Sequence, residues 1–255
     1  MSEGIEEPTL TETKNQSEID IAFSDMLEEY FSNNPGSSVE KLKNFSKYVS
    51  RQDLTNFVAK YEIFKQILEV QGSVVECGVF QGNGLMTWAK LSSIFEPYNH
   101  QRKIIGFDTF CGIPSVAEED KMSKSEHAHV GKLSSKSYDD LVQCIKLYDM
   151  NRALAHITKV SLVKGNMVQT IPRFIEQNPH TVVSLLYLDA VVFEPTKIAI
   201  EHFVPRMPKG AIIAFDELNS ELWPGETIAV ARELGLSNLR VRRFPFASFI
   251  SYAVL

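Results

Sequence analysis

Apolar and polar positions change period along this chain, and the changes mark its elements. Over residues 52–70, Leu54, Phe57, Val58, Tyr61, Phe64 and Leu68 recur at steps of three and four. That spacing predicts a helix with a core-facing stripe, stopping at Gln71-Gly72. Two shorter helices are predicted before it, over 19–31 and 38–49, with the break at Ser32-Asn-Asn-Pro-Gly36. From Ser73 onward short apolar runs alternate with amphipathic stretches. Strands are expected around Val74–Val75, then at 103–107, 160–163, 181–188 and 211–215. Helices are expected from Asn83, as cap, to Phe95, and at 138–157, 169–177, 196–203 and 226–234. Two last strands, 239–243 and 249–254, flank Pro245 with no room for a crossover helix, so they must be antiparallel. The chain is therefore an α/β protein, a doubly wound, mostly parallel Rossmann-like sheet with an antiparallel C-terminal hairpin. Residues 1–18 are polar and aperiodic and are expected to be a disordered tail. Residues 19–72 form an N-terminal helical cap and 73–255 the α/β domain. Residues 109–137 are a long stretch without a strong pattern, expected to act as a mobile flap.

Composition narrows this little. Of 255 residues, 44% are hydrophobic and 23% charged, as in an ordinary soluble globule. A net charge of −6 speaks against nucleic acid as a partner. No apolar run is long enough for a membrane span, so no membrane partner is expected. Cys77, Cys111 and Cys144 are scattered and odd in number, which reads as reduced thiols in a cytoplasmic protein.

The chemistry is concentrated at strand ends. Ser73-Val-Val-Glu-Cys-Gly-Val-Phe-Gln-Gly-Asn-Gly84 runs from strand through a glycine-rich turn into a helix N-terminus. In an open α/β sheet this is a nucleotide cradle, where small residues admit the ligand and free amides face it. The spacing Gly-x-x-x-Gly-x-Gly departs from the Gly-x-Gly-x-x-Gly of dinucleotide folds. Glu76 lies two residues before the first glycine, where a carboxylate can hold a cationic group. This suggests S-adenosylmethionine (SAM), which carries an α-ammonium and a sulfonium. Asp108 ends the second strand, 26 positions after Gly82, close to the offset at which an acid takes ribose hydroxyls. Asn166 ends the third and is placed to read an adenine edge. Asp189 ends the fourth, and Asp216 with Glu217 the fifth.

These motifs resemble a known family. Glu76-Cys-Gly-Val-Phe-x-Gly, Gly106-Phe-Asp-Thr-Phe-Cys-Gly-Ile-Pro114, Val163-Lys-Gly-Asn166 with Thr170-Ile-Pro172, and Leu188-Asp-Ala-x-x-Phe-Glu-Pro-Thr196 are similar to the macrocin O-methyltransferases. The similarity covers about residues 57–215. It implies a SAM-dependent enzyme that methylates a hydroxyl of a sugar, nucleotide-sugar or similar small molecule, as a homodimer, with a divalent cation, typically Mg²⁺. The cofactor residues it implies are Glu76, Gly78, Val79, Phe80, Gly82, Asn83, Asp108, Thr109, Gly165, Asn166 and Asp189. The metal ligands it implies are Asp189, Asp216 and Glu217. Glu217 stands where the family has the second aspartate of a pair, and Phe193 where it commonly has tyrosine. Val191 replaces the second carboxylate of the family's Asp-x-Asp, which leaves Asp189, His127 and His129 as candidates to take the acceptor's proton. The same substitution supports a rival reading, a SAM-binding protein of this fold that has lost turnover. NAD-linked oxidoreduction is disfavoured by the glycine spacing and by the lack of a Tyr-x-x-x-Lys pair.

Overall fold

Five apolar runs lie parallel in the computed structural model, which describes residues 17–255: β1 (Ser73–Cys77), β2 (Ile104–Asp108), β3 (Val160–Lys164), β4 (Val183–Leu188) and β5 (Ile212–Phe215). The C-terminal pair β6 (Arg242–Phe244) and β7 (Ala247–Val254) is antiparallel. β7 also runs antiparallel beside β5, giving the order β3-β2-β1-β4-β5-β7-β6. The chain winds outward from β1 to β3, then crosses back to β4. The strand order therefore reverses between β1 and β4, and a ligand crevice opens outside the carboxyl ends there.

Alternation within each strand sends side chains to two cores. Val74, Leu185, Tyr187 and Ile212 face one core with Ile63 and Phe64 of α3 (Arg51–Gln66) and Trp88 of α4 (Asn83–Phe95). Val75, Cys77, Leu186 and Phe215 face the other with Ile171 of α6 (Met167–Gln177) and Phe203 of α7 (Phe193–Phe203). α5 (Tyr138–Met150) and α8 (Pro224–Glu233) complete the layers, with α8 packed on α7. The α5 boundary corrects the sequence expectation of a helix to residue 157, since turns follow Met150.

The expected tail at residues 1–16 lies outside the described residues. Ser17 already caps α1 (Glu18–Asn33) by accepting from the Asp20 amide, while Asp20 accepts from the Ser17 amide. α2 (Ser38–Lys43) is shorter than predicted and gives way to a 3₁₀ turn at Phe45–Lys47. α3 is rolled relative to its apolar stripe. Ala59, Lys60, Ile63 and Phe64 are buried, whereas Phe57 and Val58 remain 38% and 37% exposed. Lys60 turns inward because its ammonium finds partners beneath the helix.

Gly78 marks the closest approach of the two central strand ends. Its φ is +98°, and a Cβ there would lie 1.9 Å from the Asp189 carbonyl oxygen. Neither the left-handed backbone nor the backbone clash can be relieved locally. Gly78→Ala is expected to cost about 3 kcal/mol or more, read as a large fall in thermal midpoint.

Candidate active site

Four of the five parallel strands pass their hydrogen-bond ladder one residue beyond their ends. The Gly78 amide donates to the Phe107 carbonyl, Gly165 to Asp108, Asp189 to Cys77 and Asp216 to Leu188. The polar residues read at separate strand ends are thus aligned along one rim.

Asp108 organises the glycine-rich turn. Its Oδ2 accepts from the amides of Val79 (2.8 Å) and Phe80 (2.9 Å), and its Oδ1 from Phe110 (2.7 Å). Phe80 and Phe110 hold φ values of 50° and 56°, so the carboxylate maintains two left-handed residues on either side of itself. The α4 cap differs from expectation. Gly82, in left-handed conformation, is the N-cap, and Asn83 is the exposed first residue with no capping bond. A side chain at Gly82 would collide with Leu141 of α5, which is why the turn lies so close to that helix.

A cleft opens over this rim. Gly78, Phe80, Asp108, Thr109, Asn166 and Asp189 border it, so six of the eleven predicted cofactor residues come together. Its walls are apolar: Ile113, Pro114 and Leu133 on one side, Met167, Val191 and Pro195 on the other. Asn166 caps α6 through Oδ1 to the Val168 amide (3.0 Å), which fixes the side chain at the cleft edge. Thr109 Oγ1 donates to the Gly112 carbonyl (2.7 Å) and shapes the turn behind the wall. Val79 points into the core, and Gly165 closes the β3 end without lining the cleft.

Glu76 lies beneath the glycine turn, 2% exposed, on the α3 and α4 side of the sheet. Its Oε1 occupies the space where a Cβ of Gly84 would stand, and its Oε2 is buried without a hydrogen-bond partner. Burial, reinforced by Asp216 and Asp108 and opposed by Lys60, pushes its pKa up to about 8. An acid with a raised folded pKa binds its proton more tightly in the native state. Its stabilising contribution is whole below pH 4.5 and is lost as pH rises towards 8. Glu76→Gln should therefore flatten the fall in thermal midpoint between about pH 5 and 8.

Beside Glu76 is an acid cluster that the sequence reading only half anticipated. Tyr187 donates its hydroxyl to Asp216 Oδ1, and the Lys60 ammonium donates to the same hydroxyl at 3.0 Å. Burial, then the neighbouring Asp216, hold the Asp189 carboxyl well above the usual range. Glu226, fully buried in the first turn of α8, accepts from the Glu217 amide (2.9 Å) and is likewise raised by burial. Lys60, Tyr187 and Glu226 were missed because each sits inside a segment read as core or helix. The one available sign was a lysine within four residues of Phe64 on the α3 stripe.

The predicted cation site does not form. Among the described residues, no three His, Cys, Asp or Glu side chains stand where they could hold a metal ion. One oxygen of Asp216 is taken by Tyr187, a lysine ammonium already faces the acids, and Val191 offers no oxygen. Asp189, Asp216 and Glu217 do not fit a Mg²⁺ ligand set, and no step below runs through a metal.

Residues 109–137 are tied down at several points. Ile113 exchanges backbone bonds with Gly131 and Lys132, Lys124 pairs with Glu221, and Glu119 with Arg232. Asp120, 3% exposed, accepts from the Ala117 amide (3.0 Å) and from Phe193 at the start of α7 (2.9 Å). Ile113 and Ala128 pack in one apolar cluster with Val192 and Trp223. His127 and His129 do not line the cleft; His129 is exposed, and the His127 Nε2 is buried without a partner.

A doubly wound sheet with a cradle at β1, a carboxylate at the β2 end and an acid-rich rim at β4 and β5 defines a class I methyltransferase. Residues 46–232 match the model of the macrocin-O-methyltransferase (TylF) family. The chain belongs to that family and is a SAM-dependent O-methyltransferase. Among solved structures it is similar to CalS11, a calicheamicin methyltransferase (33% identity, TM-score 0.89, covering 94% of this chain and 93% of that one). An apo structure of CalS11, described as a TDP-rhamnose 3′-O-methyltransferase, gives 31% identity and TM-score 0.81 over 94% and 95%. The O-methyltransferase NovP shares the fold at 17% identity and TM-score 0.60, over 78% and 79%. No curated protein matches the sequence. Among the described residues, no helix is long and apolar enough to cross a membrane.

Proposed function

We propose that the chain methylates a hydroxyl of a nucleotide-sugar or similar sugar-like molecule in natural-product or glycan biosynthesis. The observation that carries this is the likeness to CalS11 over nearly the whole of both chains, together with a cleft at the carboxyl ends of this chain's parallel strands. In this reading SAM lies across the rim. Asp108 takes the ribose hydroxyls with its remaining lone pairs, and Ile113, Pro114 and Met167 enclose the adenine beside Asn166. The α-ammonium meets the unpartnered oxygen of Glu76, which explains why a carboxylate is buried there. The residues Val79, Gly82, Asn83 and Gly165 then shape the cradle from behind.

Methyl transfer converts R–OH and CH₃–S⁺ into R–O–CH₃, a neutral thioether and a proton. Alignment of the acceptor oxygen with the methyl group supplies much of the acceleration. The proton goes to Asp189, the rim carboxylate that borders the cleft and whose raised affinity suits it to receive one. His127 and His129 stand outside this path. Three unpaired cysteines and the exposed apolar side chains of Phe23, Met26, Leu42 and Phe45 support a cytoplasmic homodimer, which size-exclusion with light scattering would check.

The deciding experiment incubates the protein with SAM and a panel of nucleotide-sugars and follows a gain of one methylene by mass spectrometry. Methylation of at least one sugar is the expected result. SAM binding without methylation of any member, and methylation only after Val191→Asp, would instead establish the rival reading. The Val191 backbone sustains that rival, since a β-branched residue at φ 57° is strained where an aspartate would be tolerated.

A further inference from the structure

The acids at the carboxyl ends of β1, β4 and β5 need a compensating charge. Glu76 is 2% exposed with its Oε2 buried and without a hydrogen-bond partner, Asp189 borders the cleft, and Asp216 Oδ1 accepts from the buried Tyr187 hydroxyl. Carboxylates gathered in a partly dry rim repel strongly unless a cation lies among them. The usual answer would be a divalent ion held by three or more oxygens. Here one Asp216 oxygen already accepts from Tyr187, and the residue two places after Asp189 is valine.

Lys60 occupies the place such an ion would serve. It descends from α3, on the opposite side of the sheet from α6 and α7, and is 8% exposed. Its ammonium lies 4.4 Å from the Tyr187 ring centroid and 5.9 Å from that of Trp88, so aromatic faces wall it in. It donates to the Tyr187 hydroxyl, which passes its own proton towards Asp216. The charge therefore acts at two places. Its field favours the ionised forms of Glu76 and Asp189, and through Tyr187 it sets the orientation of Asp216. A lysine buried this deeply would be costly without such partners, and its removal would leave the acids uncompensated.

The geometry points to Lys60 as a positioning residue that, with Tyr187, serves as the fixed cation of the methyl-transfer site in place of a divalent metal. The inference rests on the reading of the cleft as a SAM site and goes beyond it in naming what holds the rim acids in their working arrangement. An ammonium is monovalent and carries no open coordination position. It therefore cannot bind the acceptor oxygen as a metal would, and it acts by holding Asp189 and Asp216 in place while the substrate proton leaves to Asp189. No further reactant is required, and the proton balance is that of the transfer itself.

The test combines calorimetric titration of the free protein with MgCl₂, turnover with and without a chelator, and the variants Lys60→Met and Tyr187→Phe. Wild type is expected to give no Mg²⁺ binding heat and unchanged turnover after chelation. Lys60→Met is expected to lose about 10²-fold in kcat, the scale for removing one fixed charge or donor from a reaction centre, with KM for SAM moving less than about tenfold. Tyr187→Phe keeps the ammonium and the ring but cuts the link to Asp216, and should fall between wild type and Lys60→Met. Loss of wild-type turnover on chelation with recovery on added Mg²⁺ would overturn the inference, as would a Lys60→Met kcat equal to wild type. Should Lys60→Met not fold, Tyr187→Phe and the Mg²⁺ titration decide the matter. A wild type that bound no SAM would defeat the functional reading above, while the Mg²⁺ titration would still identify the cation.

Discussion

Asp108→Ala is expected to weaken SAM binding by about 3 kcal/mol, roughly a hundredfold in Kd. Two effects combine. The ribose loses a charged acceptor, with each such bond contributing about 1.5 kcal/mol or more. The amides of Val79, Phe80 and Phe110 also lose the oxygens that hold them, so the cradle is no longer preorganised when the cofactor arrives. Isothermal titration reads the affinity, and hydrogen exchange at residues 78–84 reads the loosening. Asp108→Asn separates the two, because its amide oxygen can keep some backbone bonds while the negative charge is gone. Unchanged affinity in Asp108→Ala would take the cofactor out of this cleft.

Asp189→Asn should be the most damaging conservative change for turnover, lowering kcat by about 10²–10⁴-fold, the usual range for a positioned general base. Asparagine preserves the volume and the backbone ladder from the Asp189 amide to the Cys77 carbonyl, so folding should survive. SAM affinity should shift less than about tenfold, since the methionine end keeps Glu76 and the Gly78 backbone. His127→Ala, by contrast, removes a side chain that does not border the cleft and should move kcat little. A fall in kcat for His127→Ala matching that of Asp189→Asn would transfer the proton-accepting role to the loop.

The fold could be read from the sequence because its strands are buried on both faces and therefore appear as unbroken apolar runs such as Val183–Leu188. The cradle was equally visible, since only glycine tolerates the contact that Gly78 makes with Asp189. The acid rim was visible in its carboxylates and hidden in what surrounds them. Periodicity placed Phe57 and Val58 on the buried face of α3, but the helix rolls to bring Lys60 inward, where its ammonium donates to the buried Tyr187 hydroxyl. Nothing local in Tyr187 or Glu226 distinguishes a tyrosine that relays a hydrogen bond, or a glutamate that fixes the Glu217 amide, from ordinary core and helix residues. The metal expectation came from the resemblance, and one of the oxygens it needed, on Asp216, accepts from Tyr187 instead.

Asp120 has a consequence for any attempt to change what this protein accepts. Its two oxygens bind the amides of Ala117 and Phe193, and Gly225 is a glycine because Oδ1 stands where its side chain would be. The loop at Ala117, the start of α7 and the start of α8 are thereby one mechanical piece. A substitution at Trp223, which packs with Ile113 and Val192 behind the cleft wall, would be felt in the KM for SAM as well as for the proposed sugar, and the two specificities would have to be redesigned together.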